Sequence, residues 1–163
     1  MTNPLDAVLD AVEQCRAKPA NDYERIIIFL TPCGAARAIL GREMVKRLGA
    51  VLVGANPLWE ERPDRALRDI CKRCRITFKP AADADRLENL LLRAFEADPP
   101  ILAVDNAEHL SRETLDTFTR LVNQTRIVLA LLASDRTCRK WQWRWSEQFD
   151  QIRRRTHVIV QAD

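Results

Sequence analysis

Two stretches of the chain carry residue types and spacings that could handle a phosphate. In Ile26–Ala38, IIIFLTPCGAARA, a β-branched run meets a turn and then a helix-forming segment. That is the layout in which backbone amides and a lysine cradle phosphate oxygens. Set on the pattern G-x-x-x-x-G-K-[ST], the residues Thr31, Pro32, Cys33, Gly34, Ala35, Ala36, Arg37 and Ala38 fall into register. Thr31 and Ala36 stand at the two glycines, Arg37 at the lysine and Ala38 at the hydroxyl residue. The second stretch, Ile101–His109, ILAVDNAEH, reads as a buried strand ending in Asp105, an acid placed where it could steer Mg2+.

The exchanges remove much of that chemistry. Alanine and threonine resist the left-handed conformations that a phosphate nest can need. Arg37 keeps a positive charge, but its planar fork is not a compact ammonium. Ala38 has no hydroxyl to offer a metal. Thr31–Ala38 therefore reads either as a nucleotide loop or as a plain strand-to-helix turn. Asp105 reads either as a metal or phosphate contact or as a cap of its own turn. Cys33 is expected to be an inert thiol and His109 a structural or surface residue.

Both stretches need elements to bring them together. Leu5, Val8, Leu9 and Val12 recur at helical spacing and predict an N-terminal helix over 4–18. Strands are predicted at Arg25–Leu30, Val51–Val53, Ile101–Val104, Arg126–Ala133 and Thr156–Gln161. Helices are predicted at Ala35–Leu48, closed by Gly49, and at Arg62–Arg75, Ala84–Ala97, Ser111–Val122 and 136–150, although WQWRW in the last also alternates with strand period. Residues 54–63 read as a loop. The alternation implies an α/β fold, a parallel five-stranded sheet with helices on both faces in three layers. The C-terminal ends of such strands share one edge, so the turns Thr31–Ala38, Asp105–His109 and Ser134–Arg136 should converge.

Composition narrows the classes further. At 163 residues with 47% apolar and 30% charged residues, one soluble domain is expected, residues 1–20 forming an N-terminal helix and 24–161 the core. The N-terminus carries acids and no signal-peptide core, and the apolar runs are too short to span a bilayer. A cytoplasmic, membrane-free protein is expected. Its five cysteines read as free thiols in a reducing compartment. Cys71 and Cys74 form a lone C-x-x-C with no second pair, so no metal site is predicted. No Ser-His-Asp, H-E-x-x-H or paired-carboxylate pattern stands out.

The order of these features resembles the AAA+ ATPases of DNA transposition, the type of phage Mu transposition protein B, TniB and TnsC, with the related ExeA-type secretion ATPases. The resemblance is carried by IIIFLTPCGAARAILGREMVKRL, ANPLWEERPDRALRDICKRCRI, ILAVDNAEHLS, IVLALLASD and QIRRRTHVIV, which together cover most of residues 24–161. It implies a P-loop NTPase-like core whose C-terminal helical lid is absent. By position, Arg37 stands at the Walker A lysine and Asp105 at the Walker B aspartate. Asn106 replaces the glutamate that polarises the attacking water, and an amide cannot take that proton at neutral pH. Ser134 or Asp135 stands near the sensor position. One of Arg153, Arg154 and Arg155 stands near an arginine finger that acts on a neighbouring subunit. With metal ligand and base both lost, ATP turnover is expected to be absent, and ATP and Mg2+ are not expected cofactors.

Two basic clusters remain. Arg62, Arg65, Arg68, Lys72 and Arg73 lie in the region with which the resembled family contacts DNA backbone. Arg136, Arg139, Lys140, Arg144 and Arg153–Arg155 set seven cations against two carboxylates over 136–155, interleaved with Trp141, Trp143 and Trp145. The expected function is an inactive AAA+-like accessory protein that binds double-stranded DNA. It would self-associate into a ring or filament and serve as a transposition or mobile-element target adaptor beside a transposase or related ATPase subunit. The alternatives are a working ATP-binding switch or ATPase, and a protein-only scaffold using the Trp/Arg segment.

Overall fold

The apolar runs form the strands β1 (Ile26–Leu30), β2 (Val51–Gly54), β3 (Ile101–Asp105), β4 (Val128–Ala133) and β5 (Thr156–Gln161) in a computed structural model that describes residues 3–162. All pairings are parallel and the strand order is β2-β3-β4-β1-β5. A parallel interior strand is covered on both faces, so it must be apolar at consecutive positions. β1 and β4 are accordingly buried at every residue. Strand periodicity then divides each run between two cores. Ile26, Ile28 and Leu30 join one, and Ile27 and Phe29 join the other.

The helices α1 (Pro4–Ala17) and α2 (Gly34–Leu48) cover the second face. The first is covered by α3 (Pro57–Glu61), α4 (Pro63–Arg73), α5 (Ala84–Ala97), α6 (Arg112–Gln124), α7 (Thr137–Arg144) and α8 (Ser146–Arg153). Local signals set the helix ends. Asn3, Asp83 and Ser111 cap α1, α5 and α6 with side-chain oxygens. Gly49 ends α2 in the left-handed conformation at φ 67°. Two expectations differ. The stretch read as a loop contains α3, because Asn56 accepts from the Leu58 amide and Pro57 presets the first turn. The single helix expected over 136–150 is two helices, interrupted at Trp145 (φ −142°, ψ 60°).

The connection of α1 to β1 rests on a buried cation. Arg25 is 1% exposed. Its guanidinium donates to the carbonyls of Cys15, Lys18, Pro19 and Asp22 at 2.6–3.0 Å. These carbonyls belong to the end of α1 and the turn after it, where acceptors lack helical partners. Replacing Arg25 with Met should leave the half-buried Lys18 and Asp22 carbonyls without this donor and strip the buried Cys15 carbonyl of its charged partner, and cost about 3 kcal/mol in urea denaturation. Arg25→Lys should recover only part of that loss, because an ammonium cannot match the fork.

Candidate functional site

The strand order decides where a ligand could sit. The chain leaves β1 for β2 at one edge of the sheet, and leaves β4 for β5 beyond β1 at the other. The C-terminal ends of β1, β4 and β3 therefore border the crevice at the switch point. Thr31 N donates to Ala133 O at 3.1 Å, joining the turns after β1 and β4. The expected convergence of Thr31–Ala38, Asp105–His109 and Ser134 is present.

The loop itself is short. α2 begins at Gly34, so only Thr31, Pro32 and Cys33 separate strand from helix. Cys33 N donates to Thr31 Oγ1 at 3.2 Å, closing a tight side-chain turn. The left-handed residues among those described are Gly49, Arg75 and Asn106, so none lies in Thr31–Ala38. Gly34, Ala35, Ala36, Arg37 and Ala38 are helical. This loop does not form an αR-αL phosphate nest.

Arg37 fills the crevice. Its Nε donates to Asp105 Oδ1 at 3.2 Å, its Nη1 to Thr31 O at 3.2 Å and its Nη2 to Asn106 Oδ1 at 3.3 Å. Glu108 Oε1 lies 3.8 Å from Nη2. The Arg37 side chain is 11% exposed, against 24% for each of the two acids. Asp105 also accepts from the Asn106 amide at 2.8 Å, capping its own turn. Asn106 adopts φ 53°, which asparagine tolerates and which turns the chain out of β3. Glu108 was not singled out by sequence reasoning. Its Oε2 is buried without a hydrogen-bond partner among the described residues.

A second polar cluster abuts the first. His109 Nδ1 lies 2.8 Å from Glu60 Oε1, which lies 3.7 Å from Lys140 Nζ. Lys140 also donates to Glu108 O at 2.9 Å. Burial pushes the Glu60 carboxyl up. The His109 hydrogen bond and the charges of Lys140 and Arg144 outweigh burial and hold it below the ordinary glutamate value. His109 and Glu60 are 49 residues apart, so no local pattern announces the pair. Ser134 Oγ lies 3.0 Å from Thr137 Oγ1 at the start of α7. The three arginines before β5 lie at the opposite sheet edge, since Ile26 N, at the start of β1, donates to Arg155 O. Arg155 is held by Asn123 Oδ1 and by Gln151. Arg153 and Arg154 are exposed.

The basic clusters also divide. Arg68 braces the 80–82 turn by donating to Pro80 O and Ala82 O, and it pairs with Asp64. Arg73 donates to Leu52 O. Arg62 and Lys72 are exposed and Arg65 half-buried on α4. On α7, Arg136, Arg139 and Arg144 are exposed, Trp141 is buried, and Trp143 is 85% exposed. Burial pushes the Cys71 and Cys74 thiols up to about 11, so both are protonated at neutral pH. Among the described residues no His, Cys, Asp and Glu side chains group as a metal site, and no helix is long and apolar enough to cross a membrane.

No protein-family model and no curated protein sequence matches the chain. Solved structures do. Aeropyrum pernix ORC2, in ADPNP–ADP complexes, superposes with a TM-score of 0.69 at 16% identity over 96% of this chain and 46% of that one. A chain from Drosophila ORC bound to AT-rich DNA and Cdc6 gives 0.57 at 14% identity, over 98% and 57%. AMPPCP-bound DnaA from Aquifex aeolicus gives 0.56 at 15% identity, over 100% and 48%. The chain shares their fold, a P-loop, AAA+-like five-stranded parallel sheet with helices on both faces. The chain spans a little under half the length of ORC2 and DnaA. Within this AAA+ fold, Arg37, Asp105 and Asn106 occupy the crevice at the switch point.

Two predictions follow from these contacts. Arg37→Leu leaves Asp105 and Glu108 facing each other and should cost about 1–3 kcal/mol in urea denaturation. Combined with Asp105→Asn it should cost less than the two single changes summed, by at least about 0.5 kcal/mol. For Glu60, a folded-state value below the ordinary one of about 4.5 means its contribution is complete above that pH. It is lost as pH falls through the lower, folded value. Glu60→Gln should therefore flatten the acid side of a stability–pH curve taken between about pH 6 and 3.

Proposed function

We propose that this chain is an AAA+-type accessory module that does not turn over ATP and works by holding DNA backbone in an assembly. The observation that carries the first half is the Arg37 bridge. A guanidinium stands between the Walker A-like and Walker B-like residues, supplying the positive charge that Mg2+ and lysine would supply. A bound triphosphate would have to break its contacts with Asp105, Asn106 and Thr31. Ala38 and Asn106 offer neither a hydroxyl for a metal nor a base for water.

The second half rests on the cations left exposed. Lys72 and the half-buried Arg65 on α4, Arg62 just before it and paired with Asp64, Arg139 and Arg144 on α7, and Arg136 at its start present charge without base-reading geometry, which suits phosphate contacts that ignore sequence. Drosophila ORC, a structural neighbour, is described bound to DNA. Self-association would bring the exposed Arg153 and Arg154 of one copy toward the crevice of the next. Within that reading, the transposition resemblance supports target-adaptor work beside a transposase or a related ATPase subunit in a mobile-element system. The arginine run Arg153–Arg155 directly before β5 supports the arginine-finger assignment.

The test is a pair of titrations. ATP with Mg2+ should neither raise the melting temperature nor be hydrolysed. Stabilisation, or turnover abolished by Asp105→Ala, would show a working nucleotide switch instead. Binding to duplex DNA should weaken with salt at a log–log slope of about −4, for four or five neutralised phosphates. A flat salt response would reject the DNA reading. Arg62→Glu with Arg65→Glu, and Arg136→Glu with Arg139→Glu, should each lower affinity and so apportion it between α4 and α7.

A further inference from the structure

A groove on the outer face of α5 shares no lining residue with the crevice or with the cations assigned to DNA. It encloses about 480 Å3. The floor is carbon, from Phe78, Ala82 and Leu90, and the rim carries Lys79, Arg86 and Arg93 with no acid in the lining. Two carboxylates on or beside α5 are engaged elsewhere. Asp83 caps α5 by accepting from Arg86 N, and Glu88 is held by Arg120 and Thr117. The far wall is fixed, because Arg68 stacks over Phe78 at 5.7 Å and grips the carbonyls of Pro80 and Ala82. Arg86, Asn89 and Arg93 are exposed, so the groove is open along its length.

We infer that this groove docks an acidic amphipathic helix of a partner protein. Arg86, Leu90 and Arg93 fall at i, i+4 and i+7 on one face of α5. The two guanidinium-bearing positions are thus about 10 Å apart along the helix axis. A second helix laid alongside can set acids two turns apart against Arg86 and Arg93, with the apolar residue between them over Leu90 and Phe78. Such a side chain removes the carbon floor from water, and the flanking carboxylates meet cations that have no internal partner in the groove. Duplex DNA satisfies the rim alone, because its backbone has no apolar group to reach the floor. The inference stands independently of the DNA reading.

The probe is a fluorescein-labelled helical peptide of about 16 residues, with a leucine stripe at helical spacing flanked by glutamates. Anisotropy should show micromolar binding. It should weaken at least about tenfold in Arg86→Glu plus Arg93→Glu, and again in Leu90→Gln, which leaves the charge untouched. Circular dichroism checks the fold, and Arg86→Gln plus Arg93→Gln replaces the charge reversal if that variant unfolds. Oligothymidylate of about 20 nucleotides, run in parallel, should bind these variants as it binds the parent protein. No peptide binding below millimolar concentration, or binding equal in all variants, overturns the inference. So does oligothymidylate losing affinity in step with the groove changes, which assigns the groove to single-stranded nucleic acid.

Discussion

One guanidinium ties the strand ends together. β1 and β3 are not neighbours, since β4 lies between them, yet Arg37 from the helix after β1 reaches Asp105 at the end of β3. It spans the gap with three donors in one plane, to a carboxylate, an amide oxygen and a backbone carbonyl. A lysine in this place has one point of charge and no fixed fork, so it could not hold three acceptors at their separate angles. The two acids beside Arg37 need the bridge as much as it needs them. Two half-buried carboxylates on one turn repel unless a cation sits between them.

The bridge also explains the loop. In a phosphate-binding loop the backbone is free to curl around an anion, because no side chain fills the space. Here Thr31–Cys33 closes in three residues, and α2 has already made its first turn when Arg37 is reached. The arginine stem can then lie back across the strand ends. Asn106 completes the arrangement by taking a left-handed backbone that points its amide oxygen at Nη2. Loop length, helix start and turn conformation are consistent with one another, and all favour a closed crevice.

Much of this was legible in the residues. Two-sided burial of β1 and β4, the bounds of α5, the cap at Ser111 and the αL stop at Gly49 all follow from local rules. They matched because strand periodicity and capping act over a few residues. The convergence of Thr31, Asp105 and Ser134 followed from strand alternation, which fixes the edge at which each turn lies. The partners within that edge did not follow. Nothing local links Arg37 to Asp105, 68 residues away, or His109 to Glu60, and Glu108 gave no signal beyond sharing a turn with Asp105. Residues 54–63 differ from the loop expected because a single asparagine cap starts α3 there, and the helix expected over 136–150 is present but split by the backbone of Trp145.

Sequence charge also overstates the charge available to a partner, and arginine is the reason. Arg25, Arg68, Arg73 and Arg155 each donate to backbone carbonyls, and Arg120 is clamped on Glu88. The fork that suits arginine to phosphates suits it equally to paired carbonyls at helix ends and turns, where the chain has acceptors to spare. Each cation spent that way is fixed in place and partly desolvated, and it adds little to the field felt outside. The exposed cations, among them those on α4, α5 and α7 and Arg153 and Arg154, are therefore the ones that set an external field. Their separation into distinct faces and a groove, rather than the formal charge of +3, determines which anions this fold can hold.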